Sequence, residues 1–203
     1  MKRITIIFFV ILLLCAYNVF ADEHLLYSGK CYKFNDVLKT SDDADYAIKY
    51  DDEDDVFFLR IDDWINKAWI HLTRNDIAKL RKNIEKYFEW EKLAVEKAVK
   101  LEKDLPDSTI NTEVTWKFGD DWQSAMGLNV YFVFFSQNTT RHQLVLYSSK
   151  ATSYKNQFIT YKMDDLYFDK NQVQQLYNAI KEETLSKQLE EIKKNNEIKN
   201  IFN

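Results

Sequence analysis

The chain has 203 residues, a formal charge of −4, 46% hydrophobic and 15% aromatic residues, and only three Gly and one Pro. That length suits one domain, or two small ones sharing a core. The acidic balance argues against nucleic acid or an anionic membrane surface as the main partner, since both demand clustered Lys and Arg, and the scarcity of Gly leaves little material for a phosphate-cradling loop.

Behind Lys2 and Arg3 the apolar run "ITIIFFVILLLCAY" leads to Val19-Phe20-Ala21. A basic start, a short apolar core and small or aliphatic residues before the cut predict a secretory signal peptide over residues 1–21, cleaved after Ala21. The rival is an uncleaved anchor, because Ile4 to Ala21 approaches the roughly 20 residues of a membrane span. Lipidation at Cys15 is weaker, since Leu14 stands where a small residue belongs. Cleavage removes two basic residues and no acid, which takes the formal charge from −4 to −6 over residues 22–203. Cys31 is then the single thiol in a chain bound for an oxidising compartment, so the fold must rest on its core. Within "YSGKCYKF" it reads as a half-buried strand residue rather than a reactive thiol.

"LLYSGKCYKF", "DYAIKY", Val56–Ile61 and "AWIHL" are the strand candidates of the first half, rich in β-branched and aromatic residues. Thr73 then has the place of an N-cap, with Asp76 as its capping-box acid. Behind it Ile77, Leu80, Ile84, Phe88, Val95, Ala98 and Leu101 predict a helix of about 30 residues that ends at Leu105-Pro106. Glu91 falls on the apolar stripe, so a bend or an exit from the core is expected there.

The second half opens as an antiparallel meander. Ile110, Thr112, Val114, Trp116 and Phe118 alternate with polar residues and predict an inward face. "GDDW" (119–122) is a turn, and "LNVYFVFF" (128–135) reads as a central strand covered on both faces. "HQLVLY" and "NQFITYKM" follow as strands. Asp169 caps a last helix with Gln172, and its end, with Ile198, Ile201 and Phe202, is expected to fray. Val173, Leu176 and Ile180 repeat Ile77, Leu80 and Ile84 at an offset of 96 residues, and Leu166-Tyr167-Phe168 repeats Ile70-His71-Leu72. Upstream, Lys162-Met163-Asp164-Asp165 resembles Arg60-Ile61-Asp62-Asp63. Two explanations stay open: a duplicated strand-strand-helix unit, with halves 22–106 and 107–203, or the pattern that any strand entering a capped helix generates.

Catalytic constellations are scarce. His24, His71 and His142 are scattered, no G-x-S-x-G elbow accompanies them, and one cysteine with three separated histidines offers no zinc set. His71, alternating with Ile70 and Leu72, reads as structural. The acidic run "YDDEDDVFFLRIDDW" (50–64) invites calcium, because Asp51, Glu53, Asp55 and Asp62 fall at positions 1, 3, 5 and 12 of an EF-hand count. Val56 occupies the position where that loop needs Gly, and a strand follows, so a solvated hairpin turn is the simpler reading. A non-EF cation site would draw on Asp42, Asp43 and Asp45 together with Asp51–Asp55. Trp64 and Trp122 have some claim to exposure, as platforms for carbohydrate or peptide, whereas Trp69 and Trp116 read as packing residues. Asn138 begins a glycosylation sequon.

These observations predict an α+β fold, an antiparallel sheet or pair of sheets carrying two long amphipathic helices. No catalytic, cofactor-binding or metal residue is assigned. The function expected is that of an exported, periplasmic or secreted, non-enzymatic domain that binds a ligand or partner through an uncovered sheet face or connector loops. A carboxylate-dependent, metal-assisted hydrolase of an extracellular polymer and a structural subunit of an envelope assembly are the alternatives.

Overall fold

Four successive runs of alternating apolar residues build a meander: β1 (Glu23–Asn35), β2 (Thr40–Asp51), β3 (Val56–Asp62) and β4 (Lys67–Leu72), each antiparallel to the next. The structure, a computed structural model, describes residues 23–35, 40–62, 67–106 and 109–201. The leader expected over residues 1–21, Trp64 and Phe202 lie outside the described residues.

β4 runs through Thr73 into α1 (Arg74–Lys97), where Thr73 and Asp76 form the expected capping box. The chain then makes β5 (Glu102–Asp104), β6 (Ile110–Phe118), β7 (Asp121–Ser136) and β8 (His142–Ser148). A small hairpin of β9 (Ala151–Thr152) and β10 (Thr160–Tyr161) precedes β11 (Leu166–Phe168), α2 (Lys170–Ile180) and α3 (Glu182–Ile201).

The main sheet runs β5-β7-β6-β4-β3-β2-β1-β11-β8, and β8 pairs back onto β7, so the sheet closes into an antiparallel barrel. The sixteen-residue β7 makes this possible by changing partners along its length: residues 121–130 pair with β6, and 130–136 with β8. A register shift between Thr112 and Val114 faces Gly127, whose φ of 81° few other residues adopt, and together they bend the ribbon there. β5 lies on β7 beyond the stretch that β6 occupies.

Inward positions of every barrel strand, among them Ile48, Phe57, Ile70, Phe132, Leu144 and Phe168, merge with one apolar face of each helix. α1 contributes Ile77, Leu80, Ile84 and Tyr87; α2 contributes Val173, Leu176 and Ile180. β4 and β11 run in the same direction, four antiparallel steps apart, so both helices leave from the same end of the barrel. The coarse expectation of α+β with an antiparallel sheet therefore holds.

The details differ in several places. α1 ends at Lys97, well short of Leu105, because Ala98 turns left-handed (φ 51°) and residues 102–104 join the sheet as β5. Past Ala94 the predicted stripe has nothing to cover, and Val95, Val99 and Leu101 are exposed. Glu91 stays buried on the stripe because Lys170 of α2 donates to it at 2.8 Å. The last helix is two, broken at the extended Lys181, and the tail read as fraying is helical through Ile201. "NQFITYKM" supplies only the two residues of β10, with Phe158 fully outward. Phe118 is exposed at the end of β6 rather than inward, although Trp116 is buried as expected.

Candidate functional site

Barrel closure sets the outward side chains of β7, β8, β11 and β1 beside one another, and β7 and β8 are largely apolar on both faces where they pair. Direct register partners form one continuous row across six strands: Asp43, Tyr32, Tyr167, Val145, Val133 and Asp104. At ~4.8 Å per strand the row is roughly 24 Å long. Beside it Tyr131 and Tyr147 are register partners that stack at 4.9 Å, while Phe135 meets Tyr167 edge to face at 5.9 Å. "LNVYFVFF" is thus covered by the core on one face only; on the other it helps to floor a surface trough.

The Phe135–Tyr167 pair stands between two hollows. One, of about 620 Å³, is lined by Tyr32, Phe34, Asp43, Arg141 and Gln143 among others; the second, of about 750 Å³, by Glu102, Asp104, Val145, Tyr147 and Asp165. Carboxylates therefore outnumber cations along the trough, with Lys103 and Arg141 the basic lining groups. Burial raises the pKa of the Tyr147 phenol, and the nearby Asp104 and Asp165 carboxylates raise it further. It is a neutral hydrogen-bonding group throughout the ordinary pH range. Such a surface can pack apolar side chains along its length and hold cationic groups at its edges. The sequence signal for it was the apolar character of both faces of β7 and β8.

The acidic run 51–55 is the turn between β2 and β3, and its carboxylates go to different partners. Asp51 Oδ1 accepts from the backbone N–H groups of Glu53 and Asp54, at 3.0 and 3.3 Å. Asp52 pairs with His24 at 2.9 Å and accepts from Asn196 of α3. Asp55 takes a two-pronged contact from Arg74, at 2.7 and 3.0 Å, and the Tyr50 hydroxyl at 2.9 Å. Asp42, Asp43 and Asp45 lie toward the other end of β2, about 20–30 Å from Asp51 at ~3.4 Å per residue. The two acidic groups do not come together, and among the described residues no cluster of three or more His, Cys, Asp or Glu converges as a metal set would.

His71 points outward from β4 as its alternation implies, edge-on to Phe58 at 4.9 Å and 3.2 Å from Thr115 Oγ1. Burial lowers its pKa below the ordinary imidazole value, with Glu113 opposing. Trp122 is part-exposed but packs on Trp69 at 5.4 Å. His142 is buried, with Ser136 Oγ 2.7 Å from its Nδ1. Cys31 is fully buried rather than half-buried, and burial beside Asp45 and Asp43 pushes its thiol up to about 12. Asn138 sits in the exposed β7–β8 turn, where its Oδ1 accepts from the N–H groups of Thr140 and Arg141.

No helix among the described residues is long and apolar enough to cross a membrane. Fold and surface together define a closed antiparallel α+β barrel with a helical cap at one end and an aromatic trough on its outside. Comparison with protein-family models, curated proteins and solved structures finds no match for the chain.

Proposed function

We propose that the protein is exported and acts without catalysis, by holding an extended, positively charged partner segment along the outer trough. The observation that carries this reading is the row from Asp43 to Asp104, apolar in its middle and acidic at both ends. Its ~24 Å matches about seven residues of extended chain at ~3.4 Å each. Rings already paired with one another, as Tyr131 with Tyr147, give a flush apolar floor suited to peptide side chains rather than isolated platforms for sugar rings. Export is supported by the leader-like residues 1–21. The reading of two repeated strand-strand-helix units is supported by the paired capping boxes of α1 and α2 and by their equivalent buried triplets.

The experiment is a calorimetric titration of residues 22–203 with a seven-residue peptide alternating Lys and Leu, against the same peptide with Glu for Lys. Saturable binding of the Lys peptide alone is expected, weakened about tenfold or more by Tyr32→Ala with Tyr167→Ala. Equal affinity for the two peptides, or binding indifferent to both tyrosines, would overturn the proposal.

A further inference from the structure

At the barrel end opposite the helices the inner wall changes character. Ala44, Ile61, Ala68, Trp116 and Leu166, from five different strands, enclose a cavity of about 260 Å³. Ile61 and Trp116 are both register partners of Ala68, so a methyl group stands between two large side chains and leaves the space open. Tyr161 closes the side, with its ring 5.6 Å from that of Trp116. A hollow of this size holds roughly eight groups of water or methylene size at ~30 Å³ each. Mouths of barrels lined in this way are recurrent small-molecule sites.

The rim is basic in an acidic chain. Lys33, Lys117 and Lys162 line the cavity, and Asp164 is the acid among them. Asp164 pairs with Lys33 at 3.4 Å, whereas Lys117 and Lys162 have no acidic partner among the described residues. Apolar walls beneath two uncompensated ammonium groups match a molecule with a short hydrocarbon body and one negative head.

We infer that this barrel end binds a small anionic amphiphile, its hydrocarbon body against Trp116, Ala44 and Ala68 and its anionic head at Lys117 and Lys162. The site is separate from the outer trough: its apolar walls are inward side chains, whereas the trough is built from outward ones, and no residue lines both.

The test uses residues 22–203 and three eight-carbon probes, sodium octanoate, 1-octanol and octyltrimethylammonium, followed by calorimetry. Octanoate is expected to bind saturably, about tenfold or more tighter than octanol, with no binding of the ammonium probe. Lys117→Glu with Lys162→Glu changes rim charge without touching the core, and should lower octanoate affinity about tenfold while sparing that for octanol. Ala68→Leu should abolish binding of both; should that variant fail to fold, Ala44→Val narrows the same space and should weaken both. Tyr32→Ala with Tyr167→Ala should leave octanoate binding unchanged. Equal affinity for octanoate and octanol, octanoate binding undiminished in the double Glu variant, or no binding of octanoate at millimolar concentration would each overturn the inference.

Discussion

Asp55 shows how much of the acidic run is explained by neighbours rather than by a bound cation. Its φ of 52° closes the turn, and its carboxylate faces Arg74 on α1 and the Tyr50 hydroxyl. The hydrogen bond from Arg74 holds the Asp55 pKa below the usual carboxylate value, and the same contact raises that of Arg74. Burial and the bond to Asp55 push the Tyr50 phenol up to about 12. Because the folded pKa of Asp55 lies below the unfolded one, its contribution is present above the unfolded carboxylate range near pH 4 and is lost as pH falls through the lower folded value. Both partners are about half exposed, so the magnitude is that of a surface pair, about 0.2–1 kcal/mol. Asp55→Asn, which keeps a residue tolerant of this backbone, should cost that amount at pH 7 and progressively less as pH falls below the unfolded carboxylate range toward the lower folded value, in urea unfolding. A pH-independent difference would show that backbone conformation, not charge, is responsible.

Among the elements, the helix caps were the most legible part of the sequence, because a capping box is local: Thr73 with Asp76 and Asp169 with Gln172 form as spaced. Helix ends were not legible. Val95, Ala98 and Leu101 continue the helical period, yet tertiary space decides whether a stripe is used, and beyond Ala94 the barrel offers none. The break at Lys181 was hidden for a similar reason, since no Pro or Gly marks it. Ala98 retains a cost from this arrangement, as an alanine in the left-handed cap position where Gly is usual. Ala98→Gly should therefore raise stability by about 0.5–1 kcal/mol, seen as a Tm increase of a few degrees. An unchanged or lower Tm would mean that the extra freedom of Gly in the unfolded chain offsets the relief of strain.

For the molecule as a whole, the strands were readable but their neighbours were not. Val56–Ile61, Ile110–Phe118 and 142–147 announce themselves by composition, whereas the pairing of Tyr32 with Tyr167 joins residues 135 positions apart and leaves no local trace. The trough was legible only in part: the apolar character of β7 and β8 on both faces marked one side of it, whereas Tyr32 and Tyr167 read as ordinary strand residues until closure sets them beside Val145 and Val133. The cavity at the far end likewise depends on Ala68 meeting Ile61 and Trp116 across strands.

That long-range pairing is also the shortest join in the barrel. β1 meets β11 through two register pairs, Tyr32 with Tyr167 and Lys33 with Leu166, while β1 and β2 run together over most of their length. Opening there need break few backbone hydrogen bonds, so the amides of residues 32–34 and 166–168 should exchange with solvent at a lower free energy than those of β2 and β3. Hydrogen exchange would measure this directly, and uniform protection around the ring would contradict it. The same join runs beneath the trough, with Tyr32 on one side and Tyr167 on the other. A segment seated across both would act as a stitch, slowing exchange at the seam by the free energy of its own binding. Occupancy would then be readable in the backbone itself, as the closing of a zip whose last teeth are three residues long.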